Sequence, residues 1–327
     1  MKLFGKEEKL ARFIDLFAGI GGFHYALASS GHQAVFASEW DKDAAQVYEL
    51  NHGLKPLGDI TAIHEDDVPT HDIVAAGFPC QAFSISGKQS GFSDPRGTLF
   101  FEIARIAAKH RPKILFLENV RNFAQHDMGN TLRTVTKTLE DLRYNVFTRL
   151  YNASNFGLPQ NRQRFFIIAV NRDYSEKEFV FPAEPNTTVS LQDVLLDDAL
   201  TQEFVINRSD IVMDVTKEPE TPVNKPVRLG SVGKGGQGER IYSAAGHAIT
   251  LSAYGGGVGS KTGLYYVNGK VRKLHPRECA RVQGFPDTFI LPERKQMAWK
   301  QFGNSVPVNV LKEISKAFTE QYRDILE

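Results

Sequence analysis

Two cysteines in 327 residues, Cys80 and Cys279, are too few for a disulfide framework and fit a reducing compartment. No apolar run approaches the ~20 residues of a membrane-spanning helix, and the polar stretch from Met1 to Lys9 has no signal-peptide core. A cytoplasmic protein with no membrane partner is expected. The nine histidines show no metal-ligand spacing and no His-Glu-x-x-His occurs, so no metal is expected. A Walker-type Gly-Lys-Ser/Thr is missing, which disfavours a triphosphate, and so is the full Gly-x-Gly-x-x-Gly of a dinucleotide dehydrogenase. Net charge is also nearly absent, at +1, and taken alone it says nothing about a polyanionic partner. What is present is ordinary globular composition, 42% hydrophobic and 24% charged, in a chain long enough for a large core. At roughly 100–200 residues per domain, two domains fit.

The near-neutral total conceals a segregation of charge. Residues 191–220 hold eight acids against Arg208 and Lys217, whereas residues 221–280 hold nine bases against Glu239 and Glu278. The basic stretch is also rich in glycine, with 12 of the chain's 27 between Gly230 and Gly269. Basic charge on backbone free of side chains suits close approach to phosphates and base edges. A flexible basic surface loop has the same composition.

Residues 1–170 alternate short apolar runs with amphipathic ones. Strands are predicted at 12–17, 34–39, 72–77, 113–118, 145–150 and 165–170, and helices at 23–30, 42–51, 98–109 and 131–142. Such alternation predicts a doubly wound α/β sheet with helices on both faces. Residues 178–186, with Pro182 and Pro185, read as a linker. A last helix is predicted at 308–322, with Ser305 as its cap and Pro307 near its start, and it resembles the first domain. The expected organisation is therefore 1–187 as the main domain, 188–280 as a smaller inserted domain and 281–327 as the return.

Four segments carry chemistry. Phe17-Ala18-Gly19-Ile20-Gly21-Gly22 follows the first strand and opens a helix, as a ligand-binding turn or an ordinary strand-to-helix turn would. The second strand ends in Glu39-Trp40, where an acid can accept from ribose hydroxyls and an indole can stack on adenine; Asp59-Ile60 adds an acceptor and an apolar wall. Cys80, in Gly77-Phe78-Pro79-Cys80-Gln81, stands at a parallel-strand end, as a nucleophile or a structural thiol; Cys279 fits a structural role better. Glu118, in Glu118-Asn119-Val120, ends an apolar strand, as a general acid of raised pKa or an acid facing solvent. Arg162 and Arg164 alternate within Gln160-Asn161-Arg162-Gln163-Arg164, where guanidinium groups can hold a carboxylate, a phosphate or a base edge.

In this order, and together with Phe13-Ile14-Asp15-Leu16-Phe17-Ala18-Gly19, Arg277-Glu278-Cys279-Ala280-Arg281 and Gly303-Asn304-Ser305-Val306-Pro307, these segments closely resemble the DNA cytosine-C5 methyltransferases over nearly the whole chain. The resemblance implies a Rossmann-like S-adenosylmethionine-dependent fold with an inserted target-recognition domain, S-adenosylhomocysteine as product and no metal. It implies cofactor contacts from Phe17, Ala18, Gly19, Gly21, Gly22, Glu39, Trp40, Asp59, Ile60, Pro79, Leu99, Asn304 and Ser305. Cys80, Glu118, Arg162 and Arg164 become catalytic residues acting on a flipped base. Residues 84–96 become a lid, with Ser84, Ser86, Lys88 and Arg96 toward DNA. Gln237, Arg240, Thr250, Tyr254 and Gly257 become DNA contacts, because segments 233–240 and 250–257 are similar to those of a family member that methylates the first cytosine of GCGC. The implied partner is double-stranded DNA, met by a monomer in a bacterial cytosol, with a place for a cognate restriction endonuclease. An RNA cytosine methyltransferase would keep Cys80 and Glu118 without needing two glycine-rich loops. A non-catalytic DNA-binding regulator would have no use for Cys80, Glu118, Arg162 and Arg164 together.

Overall fold

The computed structural model describes residues 10–79, 99–187 and 189–327, and these fall into two compact units. The first comprises Met1–Leu150, Phe165–Pro182 and Leu311–Glu327; the second comprises Tyr151–Arg164 and Ala183–Val310. Cys80 and the whole 84–96 segment lie outside the described residues.

In the first unit the chain runs β1 (Arg12–Leu16), α1 (Gly22–Ser29), β2 (Gln33–Ser38), α2 (Lys42–His52), β3 (Ile73–Gly77), α3 (Phe100–His110), β4 (Ile114–Val120), α4 (Asn130–Asp141), β5 (Tyr144–Asn152) and β6 (Gln163–Asn171). The strands form one sheet in the order β2-β1-β3-β4-β6-β5. Pairings β1–β2, β1–β3 and β3–β4 are parallel. Ile73 to Ala76 and Ile114 to Leu117 are buried throughout, as strands covered on both faces should be. Helix α4 presents Thr131, Val135 and Leu139 to the core at four-residue spacing. Because β1 is flanked by β2 on one side and β3 on the other, the connections leave in opposite directions. The crevice beyond the C-terminal ends of β1 and β3 is therefore the topological switch point where such sheets bind ligands.

The second unit is built on a five-stranded sheet that the glycine-rich sequence did not announce. It contains β7 (Ile211–Met213), β8 (Arg228–Val232), β9 (Arg240–Ser243), β10 (Leu264–Val267) and β11 (Lys270–Arg272), ordered β11-β10-β9-β8-β7. Val232, Ile241, Leu264 and Val271 form its buried centre. Helices α5 (Pro276–Gln283) and α6 (Lys295–Asn304) follow, and the chain returns to the first unit along α7 (Val308–Gln321) and α8 (Arg323–Leu326). Ser305, expected to cap the last helix, instead closes α6, its N–H donating to the Phe302 carbonyl; Pro307 directly precedes α7.

Candidate active site

The turn after β1 is shaped by three left-handed residues, Phe17, Gly19 and Gly21, at φ 55°, 55° and 87°. Of these only Phe17 carries a side chain in a conformation that favours glycine. The Gly21 N–H closes the turn onto the Ala18 carbonyl, and the Ala18 N–H reaches Ser38 at the end of β2. Glu39 is buried and holds this turn: Oε2 accepts the Gly19 N–H at 2.8 Å while Oε1 accepts the Asp41 N–H at 2.8 Å. Burial raises its carboxyl above the usual range, against the pull of these amides. Beside it Trp40 leaves 77% of its surface exposed, an open face for a stacked ring. Asp59 accepts the Thr61 N–H through Oδ1, and Ile60 packs into the core of the sheet. Asp15, in the middle of β1, is fully buried; burial and the Glu39 carboxylate push it well up.

At the ends of β3 and β4 the register sets Gly77 opposite Glu118. Glu118 is buried there, although it ends an apolar strand. Asn119 locks the neighbouring segment, its Nδ2 donating to the Phe78 carbonyl at 2.9 Å and its Oδ1 accepting the Val120 N–H at 2.8 Å. The chain leaving β3 through Phe78 and exposed Pro79 toward Cys80 is thus tied at Phe78 to the residue following Glu118. Leu99 caps the start of α3 and is half-buried.

The two arginines prove unequal. Arg164 lies within β6, half-buried, with Nη1 donating to the Gln163 carbonyl. Arg162 lies just before β6 and is only 1% exposed. Its terminal nitrogens donate to the carbonyls of Leu251 (3.1 Å), Gly303 (3.0 Å) and Ser305. Gly303 is needed in that knot: a Cβ there would stand 2.2 Å from the Ser252 carbonyl carbon and 2.3 Å from the Ala253 nitrogen. Arg162 therefore pins the Gly303–Asn304–Ser305 segment against the backbone of 251–253, leaving Asn304 exposed and Ser305 buried.

The two glycine-rich loops of the second unit meet backbone to backbone. The Gly259 N–H donates to the Gly238 carbonyl at 2.7 Å, and a Cβ on Gly238 would lie 1.9 Å from the Gly256 carbonyl oxygen. Gly257, at φ 84°, completes the contact. Glu239 folds back to accept the Gly236 N–H at 2.9 Å, shaping the single helical turn that carries Gln237. Gln237, Thr250 and Tyr254 are exposed, Tyr254 by 74%, and the Thr250 hydroxyl donates to the Asn161 carbonyl. Arg240 opens β9 half-buried, and its Nε has no hydrogen-bond partner among the described residues.

Comparison with known proteins decides what this architecture belongs to. The profile of the C-5 cytosine-specific DNA methylases matches residues 11–320. The chain is 56% identical over 304 residues to the type II methyltransferase M.HhaI of Haemophilus parahaemolyticus, covering 93% of each. The chain belongs to the C-5 cytosine-specific DNA methylases. This methylase is also 38% identical over 335 residues to the type II methyltransferase M.HpaII of Haemophilus parainfluenzae, covering 96% of this chain and 91% of that one. Among solved structures, the Dnmt2 methyltransferase of S. pombe matches with a TM-score of 0.72 at 20% identity, over 95% of this chain and 99% of that one, and supports the fold.

In the methylase the first unit gathers Phe17, Ala18, Gly19, Gly21, Gly22, Glu39 and Trp40 around one turn, and sets Glu118 beside the strand that leads to Pro79. Cys80, Ser84, Ser86, Lys88 and Arg96 lie outside the described residues. Cys279 is fully buried in α5, where burial raises its thiol well above the ordinary range and so disfavours a thiolate. Sequence reasoning missed His24, Tyr48 and His52, which pack around the glycine-rich turn. The only available signal was His52 standing directly before the helix-ending Gly53. Among the described residues no helix is long and apolar enough to cross a membrane, and no group of three His, Cys, Asp or Glu is placed to hold a metal ion.

Proposed function

We propose that this methylase flips the first cytosine of GCGC out of duplex DNA and methylates its C5, as the modification half of a type II restriction-modification pair. Its cofactor would be S-adenosylmethionine, which supplies an electrophilic methyl group when bound. The first unit fits that group: a Cβ on Gly19 would meet nothing within 4 Å, Trp40 offers a free ring face, and the Glu39 carboxylate retains lone pairs for ribose hydroxyls after taking two amides. Phe17, Ala18, Gly21, Gly22, Asp59, Ile60, Pro79 and Leu99 complete the proposed set, with Asn304 and Ser305 held in place by Arg162.

C5 of cytosine is a poor nucleophile. In the proposed sequence the Cys80 thiolate adds to C6, and the electron pair pushed toward C5 would take up the methyl group as its bond to the donor's sulfur breaks, with S-adenosylhomocysteine as the leaving group. Glu118 donates a hydrogen bond or a proton to N3, countering the charge that develops in the ring, and Arg164 contacts the base at O2. Loss of the C5 proton then restores the double bond and expels the thiolate. Glu118 is buried at the end of β4, within the crevice where the base would be received. Arg162 would act as a positioning residue in this scheme, orienting Glu118 as well as the Asn304–Ser305 segment.

Residues 188–280 would read the target. The site choice rests on the similarity of segments 233–240 and 250–257 to those of a family member that methylates GCGC; what supports a shared reading surface is their backbone contact, which brings the loops carrying Gln237, Arg240 and Tyr254 together. Arg240 would pair with guanine O6 and N7, and Gln237 would fill the space left by the flipped cytosine, opposite Ser86. Thr250, Gly257, Ser84, Lys88 and Arg96 would meet backbone or neighbouring bases. The test is transfer of tritium from labelled S-adenosylmethionine to duplex DNA, single strands and RNA, followed by bisulfite sequencing of plasmid from an expressing host. Label in duplex DNA with protection at the first cytosine of GCGC supports the reading. Protection at another motif overturns the site, and label in RNA alone overturns the substrate.

A further inference from the structure

Helix α2 begins just after Glu39 and ends at His52, and both ends reach the same turn. Glu39 takes the Gly19 N–H at 2.8 Å. At the far end, His52 Nε2 lies 3.3 Å from the Ile20 carbonyl oxygen, donating to it in the Nε2–H tautomer. The imidazole also sits directly against Gly21, where a Cβ would stand 2.0 Å from Nε2 and 2.6 Å from Cδ2. The ring cannot swing aside cheaply. It stacks on His24 with centroids 4.0 Å apart and planes 20° apart, and it meets Tyr25 at 4.8 Å and Tyr48 at 4.6 Å. His24 is fixed in turn by a 2.8 Å contact between Nδ1 and the Tyr48 hydroxyl. Burial lowers His52 to about 4 and His24 to about 3, so both imidazoles are neutral at physiological pH and the stack holds no like-charge pair.

We propose that His52 is a positioning residue for the cofactor turn, fixing the Ile20 carbonyl and the left-handed Gly21 so that the turn's N–H groups and its open Gly19 face are set before the cofactor arrives. The proposal rests on the cofactor reading above. Ring packing alone does not need an imidazole, since a phenyl would fill the same stack. The Ile20 contact is the part that a phenyl cannot make. A turn left free to move would have to be ordered on binding, and that ordering would be lost from the affinity.

The experiment is calorimetric titration of the full chain with S-adenosylhomocysteine for wild type, His52→Phe and His52→Gln, with thermal unfolding of each in the absence of ligand. We expect His52→Phe to melt within about 3 °C of wild type yet bind about tenfold more weakly, the equivalent of one hydrogen bond. KM for the methyl donor should rise by a similar factor, with a smaller change in kcat. His52→Gln, whose amide can donate to Ile20, should recover affinity to within about threefold of wild type. Should the phenyl variant fail to fold, His52→Leu against His52→Gln isolates the same hydrogen bond. Equal binding by the Phe (or Leu) variant and wild type overturns the proposal, as does a loss of affinity that follows melting temperature and is not rescued by Gln. No binding by wild type would overturn the cofactor reading instead, and this inference with it.

Discussion

Replacing Gly238 by alanine tests the loop contact on which the proposed target reading depends. The substitution adds one methyl group at a position whose φ is not left-handed, so the backbone itself accepts alanine. The obstacle is the Gly256 carbonyl oxygen, 1.9 Å from the new Cβ. Relief to ordinary contact near 3.4 Å moves one loop by roughly 1.5 Å and breaks the 2.7 Å bond from the Gly259 N–H to the Gly238 carbonyl. Overpacking of this kind costs about 1–3 kcal/mol and the hydrogen bond about 0.5–1.5 kcal/mol. Both loops are exposed and can yield, so the cost should appear as displacement rather than as unfolding. If about 2 kcal/mol of alignment is lost, DNA affinity falls roughly thirtyfold. Fluorescence anisotropy with a GCGC duplex and a scrambled duplex reads this out, while calorimetry with S-adenosylhomocysteine should report an unchanged first unit. Affinity and site preference both within about threefold of wild type would refute the reasoning.

Other perturbations address other links. Glu39→Ala releases the Gly19 and Asp41 amides along with the proposed ribose contact, and should weaken cofactor binding by about 1.5–3 kcal/mol; unchanged calorimetric affinity would remove Glu39 from the site. Glu278 is fully buried, pairs with Arg272 through contacts of 2.7 and 2.8 Å, and accepts the amides of Leu196 and His275. Glu278→Ala strands the buried guanidinium and should cost about 3–5 kcal/mol in urea unfolding, whereas the double change Arg272→Met with Glu278→Leu should cost less. Burial lowers His24 to about 3 and His32, His52 and His71 to about 4, so these four imidazoles stay neutral in the folded chain where the unfolded chain takes protons below 6.5. Asp15 and Glu39 are raised and act oppositely, gaining protons in the folded state as pH falls. Four histidines outweigh two carboxyls, so stability should fall as pH drops from 6.5 toward 4; a melting temperature unchanged between pH 7 and 5 would refute this balance.

The first unit was legible because its strands are long enough to show apolar runs and its helices carry clear amphipathic spacing. All six predicted strands and all five predicted helices are present, with no boundary shifted by more than two residues. The five-stranded sheet of the second unit was not legible. Its strands are three to five residues long, and one of them contains Gly230 at a register shift. Gly230 is there because Val212 and Met213 on β7 press against it, where a Cβ would stand 2.1 Å from the Val212 carbonyl oxygen. The glycine and base enrichment of 221–280 was visible, but its physical meaning, two loops in backbone contact, needed the pairing of residues about 20 apart. Glu118 and Glu39 could be singled out from their strand-end positions. His52 could not, because nothing local distinguishes a histidine over a turn 32 residues upstream from any other at a helix end.

The proposed chemistry turns on attack by Cys80 at C6 of the target cytosine. Incubating the protein and S-adenosylmethionine with a duplex that carries 5-fluorocytosine at the first cytosine of GCGC tests it most directly, because fluorine cannot leave as the C5 proton does. A covalent complex resistant to denaturation is expected, with the tryptic adduct on the peptide containing Cys80. An adduct on Cys279, or no covalent complex under conditions where the unmodified duplex is methylated, would contradict it.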